Sequence, residues 1–388
     1  MIIKKSVMLY AIFILFSGFL QAQDNVVWNL TERADFSRYD SGKYVGHVSR
    51  EVRACINKEG AAVGAYIPYK AAYIVMEATK SNMQEKAQPV NDVINVHYKI
   101  SNNGDMQIEN DRGYPALRNF PVYSTSQISG NQIQVGSKWT ASGKRAVDPL
   151  NNGRMIVHPI IAEYEYKGTE EYKGVEVYHI FARYSSNYFP SDNTDINLKS
   201  ITGTHAVDIL LSTKNGMLVM QRDTSDETFS WTNGESTRFK GFTLTFGTGL
   251  PEIEKPQILT SIQSTPDIDV EKVENGLRLR IKDLKFKSDS DELLPSEHSR
   301  LDLIAKTLIN VKGRSFLVEG HTASIGNTDN EEELSIARCL RIIKEMEVRG
   351  IPSSRFVYKG WGGTKPVGDN DSDEGRKVNR RVEITILQ

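Results

Sequence analysis

An acidic segment near the C-terminus has the spacing of a calcium-binding loop. Asp369, Asp371 and Asp373 stand at alternate positions, as do the first ligands of a helix-loop-helix calcium site. The sixth position of such a loop is glycine and the twelfth is glutamate, but Glu374 and Arg380 occupy these positions here. We therefore expect an exposed acidic loop that holds no calcium ion.

Two further features resemble a phosphate-binding loop and a metal ligand, but neither matches the pattern that such a site requires. The segment Gly360–Lys365 is rich in glycine, yet its lysine and threonine do not follow the glycines in the order that a phosphate-binding loop needs. His321 has no second ligand at metal-binding spacing, so we expect a hydrogen-bonded structural histidine. No Ser-His-Asp, Cys-His or paired-acid arrangement stands out in the sequence. We therefore predict no enzymatic activity, no metal site and no cofactor.

The composition indicates a globular protein of two or three domains. The chain has 388 residues, of which 39% are hydrophobic and 25% charged, and one ordinary domain is shorter than this. A net charge of -1 gives no electrostatic attraction to nucleic acid, so we expect no nucleic-acid partner. The two cysteines, Cys55 and Cys339, could pair in an oxidising compartment, but we expect two unpaired buried thiols in separate domains.

The first 22 residues have the pattern of a secretory signal peptide. Lys4 and Lys5 precede the apolar run Val7–Leu20, and Ala22 is a small residue suited to cleavage before Gln23. A retained membrane anchor is the alternative, but the run is shorter than the roughly 20 residues that a spanning helix needs. No cysteine follows the run, so lipoprotein processing is not expected. We predict an exported periplasmic protein that is associated with the outer membrane and is not a lipoprotein.

Residues 23–248 carry strand patterns. Apolar residues alternate in Ile94–Ile100 and in Ala206–Ser212, and an Asn-Gly pair with a second short apolar segment follows each of them, which is the signature of a hairpin. Thr228–Phe246 is rich in aromatic residues, but the polar run 232–240 interrupts it, which argues against a transmembrane barrel. We predict a soluble β-sandwich or open barrel of unknown ligand, with Asp35–Asp40 as a polar loop. Three prolines in residues 249–269 indicate a linker.

Residues 270–388 have the pattern of an α+β domain in the order β-α-β-α-β-β. A hairpin is expected at 270–281, and Pro295 suits the first turn of a helix. Leu301, Ile304, Ala305 and Leu308 form one apolar stripe of that helix. A second helix is expected from Asn330 to Gly350, and its buried side is predicted from the following residues: Leu334, Ile336, Ala337, Leu340 and Ile343.

Several motifs in this region occur in a family-specific order. They are Gly320-His321-Thr322, Leu334-Ser335-Ile336-Ala337-Arg338, Gly360-Trp361-Gly362, Gly375-Arg376 and Asn379-Arg380-Arg381-Val382-Glu383. Because of these motifs, residues 277–388 resemble the OmpA-like C-terminal domain family, whose members bind peptidoglycan. The resemblance implies an α+β sandwich and a cell-envelope protein tethered non-covalently to peptidoglycan.

The resemblance also implies a binding site for the zwitterionic end of diaminopimelate. In the family, an aspartate after His-Thr takes the ammonium group, but Ala323 stands at this position, after Thr322. Arg338 matches the family arginine that takes the carboxylate, and Arg380 and Arg381 match the closing motif. Glu331 stands where the family prefers asparagine. It could replace the missing carboxylate, but the sequence favours a solvated charge in the first helical turn.

Arg338 and Arg381 could have a structural role instead of contacting a ligand, because both could pair with local carboxylates and stabilise the fold. With Ala323 in place of aspartate, we expect peptidoglycan binding to be weak or lost. The alternatives are a structural or protein-interaction module of the envelope without peptidoglycan binding, and an unrecognised ligand-binding or enzymatic role of the β-rich domain. Other envelope proteins are therefore possible partners.

Overall fold

The computed structural model describes residues 26–78, 87–101, 106–109, 117–118, 133–148, 155–190, 197–251, 258, 268–282, 284–287, 290–324 and 328–387. The predicted signal peptide and most of the predicted linker lie outside these residues. The chain divides into an N-terminal unit (residues 1–81 and 94–250) and a C-terminal unit (residues 82–93 and 251–388). No helix in the described part of the chain is both long enough and apolar enough to span a membrane.

The N-terminal unit is one large, open antiparallel sheet, which confirms the predicted β-rich domain. Of the two predicted forms, a sandwich or an open barrel, the single open sheet agrees with the second better than with the first. Its twelve strands follow the order β6-β5-β3-β2-β1-β13-β12-β11-β10-β9-β8-β7, and the intervening β4 (Gln88–Pro89) belongs to the C-terminal unit. The strands are β1 Val26–Asp40, β2 Lys43–Lys58, β3 Tyr66–Ala78, β5 Asp92–Ser101, β6 Met106–Glu109, β7 Leu117–Arg118, β8 Lys138–Val147, β9 Ile156–Tyr172, β10 Val175–Tyr188, β11 Leu198–Ser212, β12 Leu218–Trp231 and β13 Ser236–Pro251.

The predicted hairpins are present where the structure describes them. β11 and β12 pair antiparallel around Asn215-Gly216, and Gly216 has a φ of 70°, which glycine adopts without a steric cost. β5 and β6 also pair antiparallel, with Tyr98 opposite Ile108, although the Asn-Gly pair between them lies outside the described residues. The alternating residues of these strands form a core together with those of β1, β2, β3, β9 and β10.

The prediction of a loop at Asp35–Asp40 is wrong, because these residues complete β1. Phe36 lies opposite Val48 of β2 and is buried, while Asp35 and Ser37 stand on the other face. Only Ser41 and Gly42 form the turn, with φ values of 47° and 82°. Strongly polar residues on the outer face of a strand therefore hid its alternation.

The C-terminal unit is an α+β sandwich around a six-stranded sheet. The sheet order is β14-β15-β18-β16-β17-β4, so β16 lies in the middle with β18 antiparallel and β17 parallel to it. The predicted hairpin at 270–281 is confirmed as β14–β15. The elements are β14 Ile268–Val273, β15 Gly276–Ile281, α1 His298–Asn310, β16 Phe316–His321, α2 Thr328–Val348, β17 Phe356–Gly360, α3 Asp373–Asn379 and β18 Arg381–Leu387.

The apolar stripe of α1 is buried as predicted. The prediction of the buried side of α2 is partly wrong. Leu340 is 41% exposed, and the residues that enter the core are Cys339, Ile342, Ile343 and Met346. The buried face of α2 continues towards its N-terminus through polar residues, which an apolar count passes over. Cys55 and Cys339 are both buried and form no disulfide, as expected.

The acidic segment after β17 contains a short helix that the sequence did not predict. The side chain of Ser372 caps α3 by accepting a hydrogen bond from Gly375 N at 3.0 Å, and Asp373 and Glu374 occupy the first turn. Serine at the N-cap and acids in the first turn both stabilise a helix N-terminus. The predicted order therefore gains one helix between β17 and β18.

A second difference concerns the edge of this sheet. β4 pairs in parallel with β17, with Gln88 opposite Val357 and Pro89 opposite Tyr358. Val90 N donates to Tyr358 O at 2.8 Å, and the Val90 side chain is buried. A segment from the first hundred residues therefore completes the C-terminal sheet.

Candidate functional site

Two motif glycines allow α2 to pack closely on the ends of β16 and β17. A Cβ on Gly320 would stand 2.4 Å from Ser335 O and 2.7 Å from Cys339 Sγ. A Cβ on Gly360 would stand 2.5 Å from Ser335 Oγ. A side chain at either position would push the helix away, so these glycines bring the polar face of α2 against the loops that follow the two strands.

Hydrogen bonds hold the glycine-rich turn between β16 and α2. Ser335 Oγ accepts from Gly362 N at 3.0 Å and donates to Glu332 O at 2.7 Å. Gly362 O in turn accepts from Thr322 N at 2.9 Å. The loop after β16, the helix and the glycine-rich turn therefore form one connected site.

Thr322 and Ala323 follow β16 and face this site from within the protein. Both are buried. No group in the described residues is a hydrogen-bond partner of Thr322 Oγ1, and Ala323 offers only a methyl group. Ser324 N donates to Asn370 Oδ1 at 3.2 Å, which fixes the next residue of the loop. The loop thus presents a hydroxyl group but no charge.

Glu331 supplies a carboxylate beside this loop. Its side chain is only 6% exposed, and Oε2 lies 2.7 Å from the point where a Cβ on Gly363 would stand, as does Ser324 Cβ. The expectation of a solvated charge at Glu331 is therefore wrong. Because α2 already begins at Thr328, residue 331 faces the glycine-rich turn instead of solvent.

Arg338 lies two helical turns after Glu331, about 10 Å further along the same face of α2. It is buried, its Nε donates to Ser290 O at 3.2 Å, and its guanidinium carbon lies 4.8 Å from the centre of the Phe286 ring. Long side chains of a helix tend to lean towards its N-terminus, and Glu331 lies on that side of Arg338 along α2. One cation and one anion therefore share the buried polar face of α2.

Arg380 and Arg381 have different surroundings. Arg380 is exposed at the end of α3. Arg381 is buried, and its Nε donates to Glu383 Oε1 at 2.8 Å. Burial opposes ionisation of Glu383, but Arg381 and Arg278 outweigh it and lower the pKa of Glu383 to about 2. These contacts support the structural interpretation of Arg381.

His321 is a buried neutral residue, but the expectation of a hydrogen-bonded histidine is wrong, because neither ring nitrogen has a hydrogen-bond partner among the described residues. Burial and the positive charge of Arg381 lower the pKa of His321 to about 3, because both disfavour the imidazolium form. No cluster of three or more metal-ligating side chains is present in the described part of the chain.

Sequence reasoning missed the role of two asparagines. Asn379 Oδ1 accepts from Val367 N at 2.7 Å and Gly368 N at 2.8 Å, and its Nδ2 donates to Asn370 Oδ1 at 2.8 Å. Asn370 Oδ1 also accepts from Ser324 N, so the asparagines connect the closing motif to the loop of Ala323. The position of Asn379 inside the closing motif was the one sequence feature that could have indicated this role.

Comparison with known proteins places the C-terminal unit in a family. Residues 285–380 match the model of the OmpA family. Outer-membrane lipoprotein YfiB of Pseudomonas aeruginosa is 33% identical over 101 residues, which are 26% of this chain and 60% of that protein. Peptidoglycan-binding protein ArfA of Mycobacterium tuberculosis is 27% identical over 103 residues, which are 26% of this chain and 32% of that protein.

A solved structure of an outer membrane protein from Borrelia burgdorferi B31 is 34% identical, with a TM-score of 0.26, and the match covers 31% of this chain and 97% of that one. The chain spans 60% of YfiB and 32% of ArfA, less than two thirds of either relative. The matched region contains every motif except the last three residues of the closing one, Arg381 to Glu383. Residues 285–380 of this chain therefore form an OmpA family domain.

Proposed function

We propose that this chain is a cell-envelope protein whose C-terminal unit binds peptidoglycan non-covalently through the polar face of α2. The OmpA family domain supports this proposal, as does the similarity to a relative whose name describes peptidoglycan binding. The function is tethering. The C-terminal unit binds the cell wall and thereby keeps the N-terminal sheet attached to it.

The ligand is the zwitterionic end of a wall peptide, which carries an ammonium and a carboxylate group on one carbon. Arg338 binds the carboxylate, since a guanidinium matches its geometry. Glu331 binds the ammonium in place of the family aspartate, and Thr322 Oγ1 donates or accepts one further hydrogen bond. The observation that carries this assignment is the burial of Glu331 against the glycine-rich turn, next to the loop of Ala323.

Binding at this site is weaker than in a domain with aspartate after His-Thr, but it is retained. An unpaired ammonium would cost about 1–3 kcal/mol, or about ten- to hundredfold in affinity. Glu331 recovers part of this loss from the helix side. The sequence leads to the expectation of weak or lost binding, and the proposal differs from it because a buried Glu331 supplies an anion.

The test is sedimentation of the full chain with purified diaminopimelate-containing sacculi. We expect wild type to bind, Glu331→Gln and Arg338→Ala to lose about tenfold or more, and Ala323→Asp to bind more tightly. Glu332→Gln is the matched control, since Glu332 is the exposed neighbour on the same helix turn.

Two results would contradict the proposal. If wild type and Arg338→Ala both fail to sediment, the unit is a structural or protein-interaction module of the envelope. If Glu331→Gln lowers the melting temperature but leaves binding unchanged, Glu331 caps α2 and does not hold the ligand.

We also propose that the protein is exported to the periplasm, with a mature N-terminus close to Gln23 and without a lipid anchor. The basic and then apolar start of the sequence supports this. Mass spectrometry of the native protein from cell fractions is the test, and Met1 retained on a cytoplasmic protein would contradict it.

A further inference from the structure

The N-terminal sheet has a groove on the face opposite its core. The groove has a volume of about 1040 Å³ and runs over the outer sides of β9 to β13. Ala162 and Tyr184 of these strands point into the core, so their sequence neighbours point out into the groove. This volume slightly exceeds the range for ligand pockets, about 300–1,000 Å³.

The strand register explains why a groove exists on a sheet face. Ser185 lies opposite Thr204, and Ala206 lies opposite Thr224, so small side chains form the floor across three strands. Larger side chains form the two walls, with Ile161 and Phe181 on β9 and β10 and with Phe242 on β13. Ile161 is 68% exposed.

The floor is polar but uncharged. Ser185, Asn187, Thr204 and Thr224 are exposed and line the groove. Their side chains make no hydrogen bond or ion pair with any residue that the structure describes. Each of these groups can donate and accept a hydrogen bond. The floor therefore offers a row of uncharged groups, each of which can both donate and accept a hydrogen bond.

The charges of the groove cancel. Glu163 and Asp226 contribute two negative charges and Arg183 and Lys240 two positive ones. Arg183 Nε donates to Glu163 at 2.7 Å, and Asp226 is held by Arg238 outside the lining at 2.6 Å. Both anions of the lining are thus already paired, so a strongly cationic ligand gains no electrostatic complementarity here.

We propose that this groove binds an uncharged oligosaccharide. Sugar hydroxyls donate and accept as the floor residues do, and the apolar faces of the rings match the walls at Ile161, Phe181 and Phe242. An acyl chain would bury the four polar floor groups without partners, which is unfavourable. An extended peptide pairs with a sheet at its edge, whereas the backbone groups under this face are already used by the ladder.

The experiment titrates the full chain with the tetramers of N-acetylglucosamine and of glucose by calorimetry. Thr224→Trp fills the floor and should weaken binding of the recognised tetramer more than tenfold. Thr228→Trp is the matched control, because Thr228 has the same residue type on the same strand and lies outside the lining. We expect this control to stay within about twofold of wild type.

Thr224→Val separates a sugar from an apolar ligand without changing the shape of the floor. Loss of the hydroxyl should weaken tetramer binding by about two- to tenfold. Unchanged or tighter binding in Thr224→Val would overturn the proposal, as would the absence of binding by both tetramers. Arg338→Ala must bind the tetramer as wild type does, since a loss would place the sugar in the C-terminal unit.

Discussion

The two units bury their charged residues in different ways. In the C-terminal unit, two of the buried charged residues, Arg338 and Arg381, belong to segments that carry family motifs. In the N-terminal unit, they lie inside long strands, where Arg145, His205, Asp223 and Glu227 are all buried. A motif can be read from sequence, but a charged residue at an inward strand position has no local signal. Sequence therefore points to Arg338 and Arg381 in the C-terminal unit, but to none of these four residues in the N-terminal unit.

The charges of the N-terminal unit compensate one another. His205 Nδ1 lies 2.9 Å from Asp223 Oδ2, and Arg145 Nη1 donates to Glu227. Burial opposes a charge on His205, but Asp223 outweighs it and raises the pKa of His205. Burial also opposes ionisation of Glu227, yet Arg145 holds the pKa of Glu227 well below its usual range. These four buried residues therefore form two pairs, each of one cation and one anion.

The pair of Arg145 and Glu227 also indicates how the sheet is curved. Arg145 lies on β8 and Glu227 on β12, and three strands stand between them in the sheet. A direct contact across three strands requires the sheet to curl around its interior. The pair thus bridges distant strands, and its loss should affect the whole unit.

The largest effect is expected from breaking this pair. Glu227→Ala leaves Arg145 buried without its carboxylate, and such a loss costs about 3–5 kcal/mol of the free energy of unfolding. Glu163→Ala is the control, because Glu163 and its partner Arg183 are exposed and an exposed pair contributes below about 1 kcal/mol. Denaturant unfolding of the full chain, followed by hydrogen exchange in β11 and β12, measures the difference.

Equal effects of the two substitutions would contradict this expectation. A double substitution, Arg145→Met with Glu227→Leu, sharpens the comparison, because it removes both charges and keeps apolar volume. It should be less destabilising than Glu227→Ala alone.

Protonation gives the second effect, and its sign differs between two buried histidines. His321 has a pKa of about 3 in the fold and about 6.5 in an unfolded chain. Only the unfolded chain takes up this proton as the pH falls from 6.5 towards 3. The C-terminal unit should therefore lose up to about 1.4 kcal/mol per pH unit in this range from His321.

For His205 the sign is reversed, since its pKa is raised in the fold. Its contribution is fully present below about 6.5 and is lost as the pH rises through its folded pKa. His321→Gln should flatten the pH dependence of exchange in β16 and β18. His298→Gln, at an exposed histidine of the same unit, is the control and should leave it unchanged. A slope that is the same in wild type and His321→Gln would contradict the assignment.

Local patterns predicted much of the fold, because they reflect contacts between residues close in sequence. The alternation of Ile94–Ile100, the turn at Asn215-Gly216 and the stripe of α1 are of this kind, and the structure contains all three. The exposed side of Leu340 and the burial of Glu331 were missed, since both depend on where α2 meets the glycine-rich turn. That position is set by Gly320 and Gly360, which lie in other elements.

The candidate site was predictable to the same extent. The motif identified Thr322, Ala323 and Arg338 by position, and all three are buried near the polar face of α2. Whether they contact a ligand stays a prediction. The pairing of β4 with β17 could not be predicted, because it joins residues about 270 positions apart and rests on two paired residues.

The smallest effect concerns this pairing and tests whether the C-terminal unit needs residues from the other half of the sequence. Val90→Ala removes two buried carbons and should cost about 1–2 kcal/mol of the stability of β17. Val367→Ala is the control, because Val367 belongs to the same unit and is exposed. Hydrogen exchange of the β17 amides is the readout, and equal protection in both variants would show that β4 adds nothing.

A fragment from Asp267 to Gln388, which lacks β4, tests the contribution of β4 directly. It has its own apolar core of helices and strands, so we expect a cooperative thermal transition. Without β4, however, the edge of β17 is left unpaired, and an unpaired edge is both less stable and open to other strands. Excess peptide of residues 82–93 should therefore raise the melting temperature of the fragment. A Val90→Asp peptide is the matched control and should have no effect, since it places a charge where Val90 is buried.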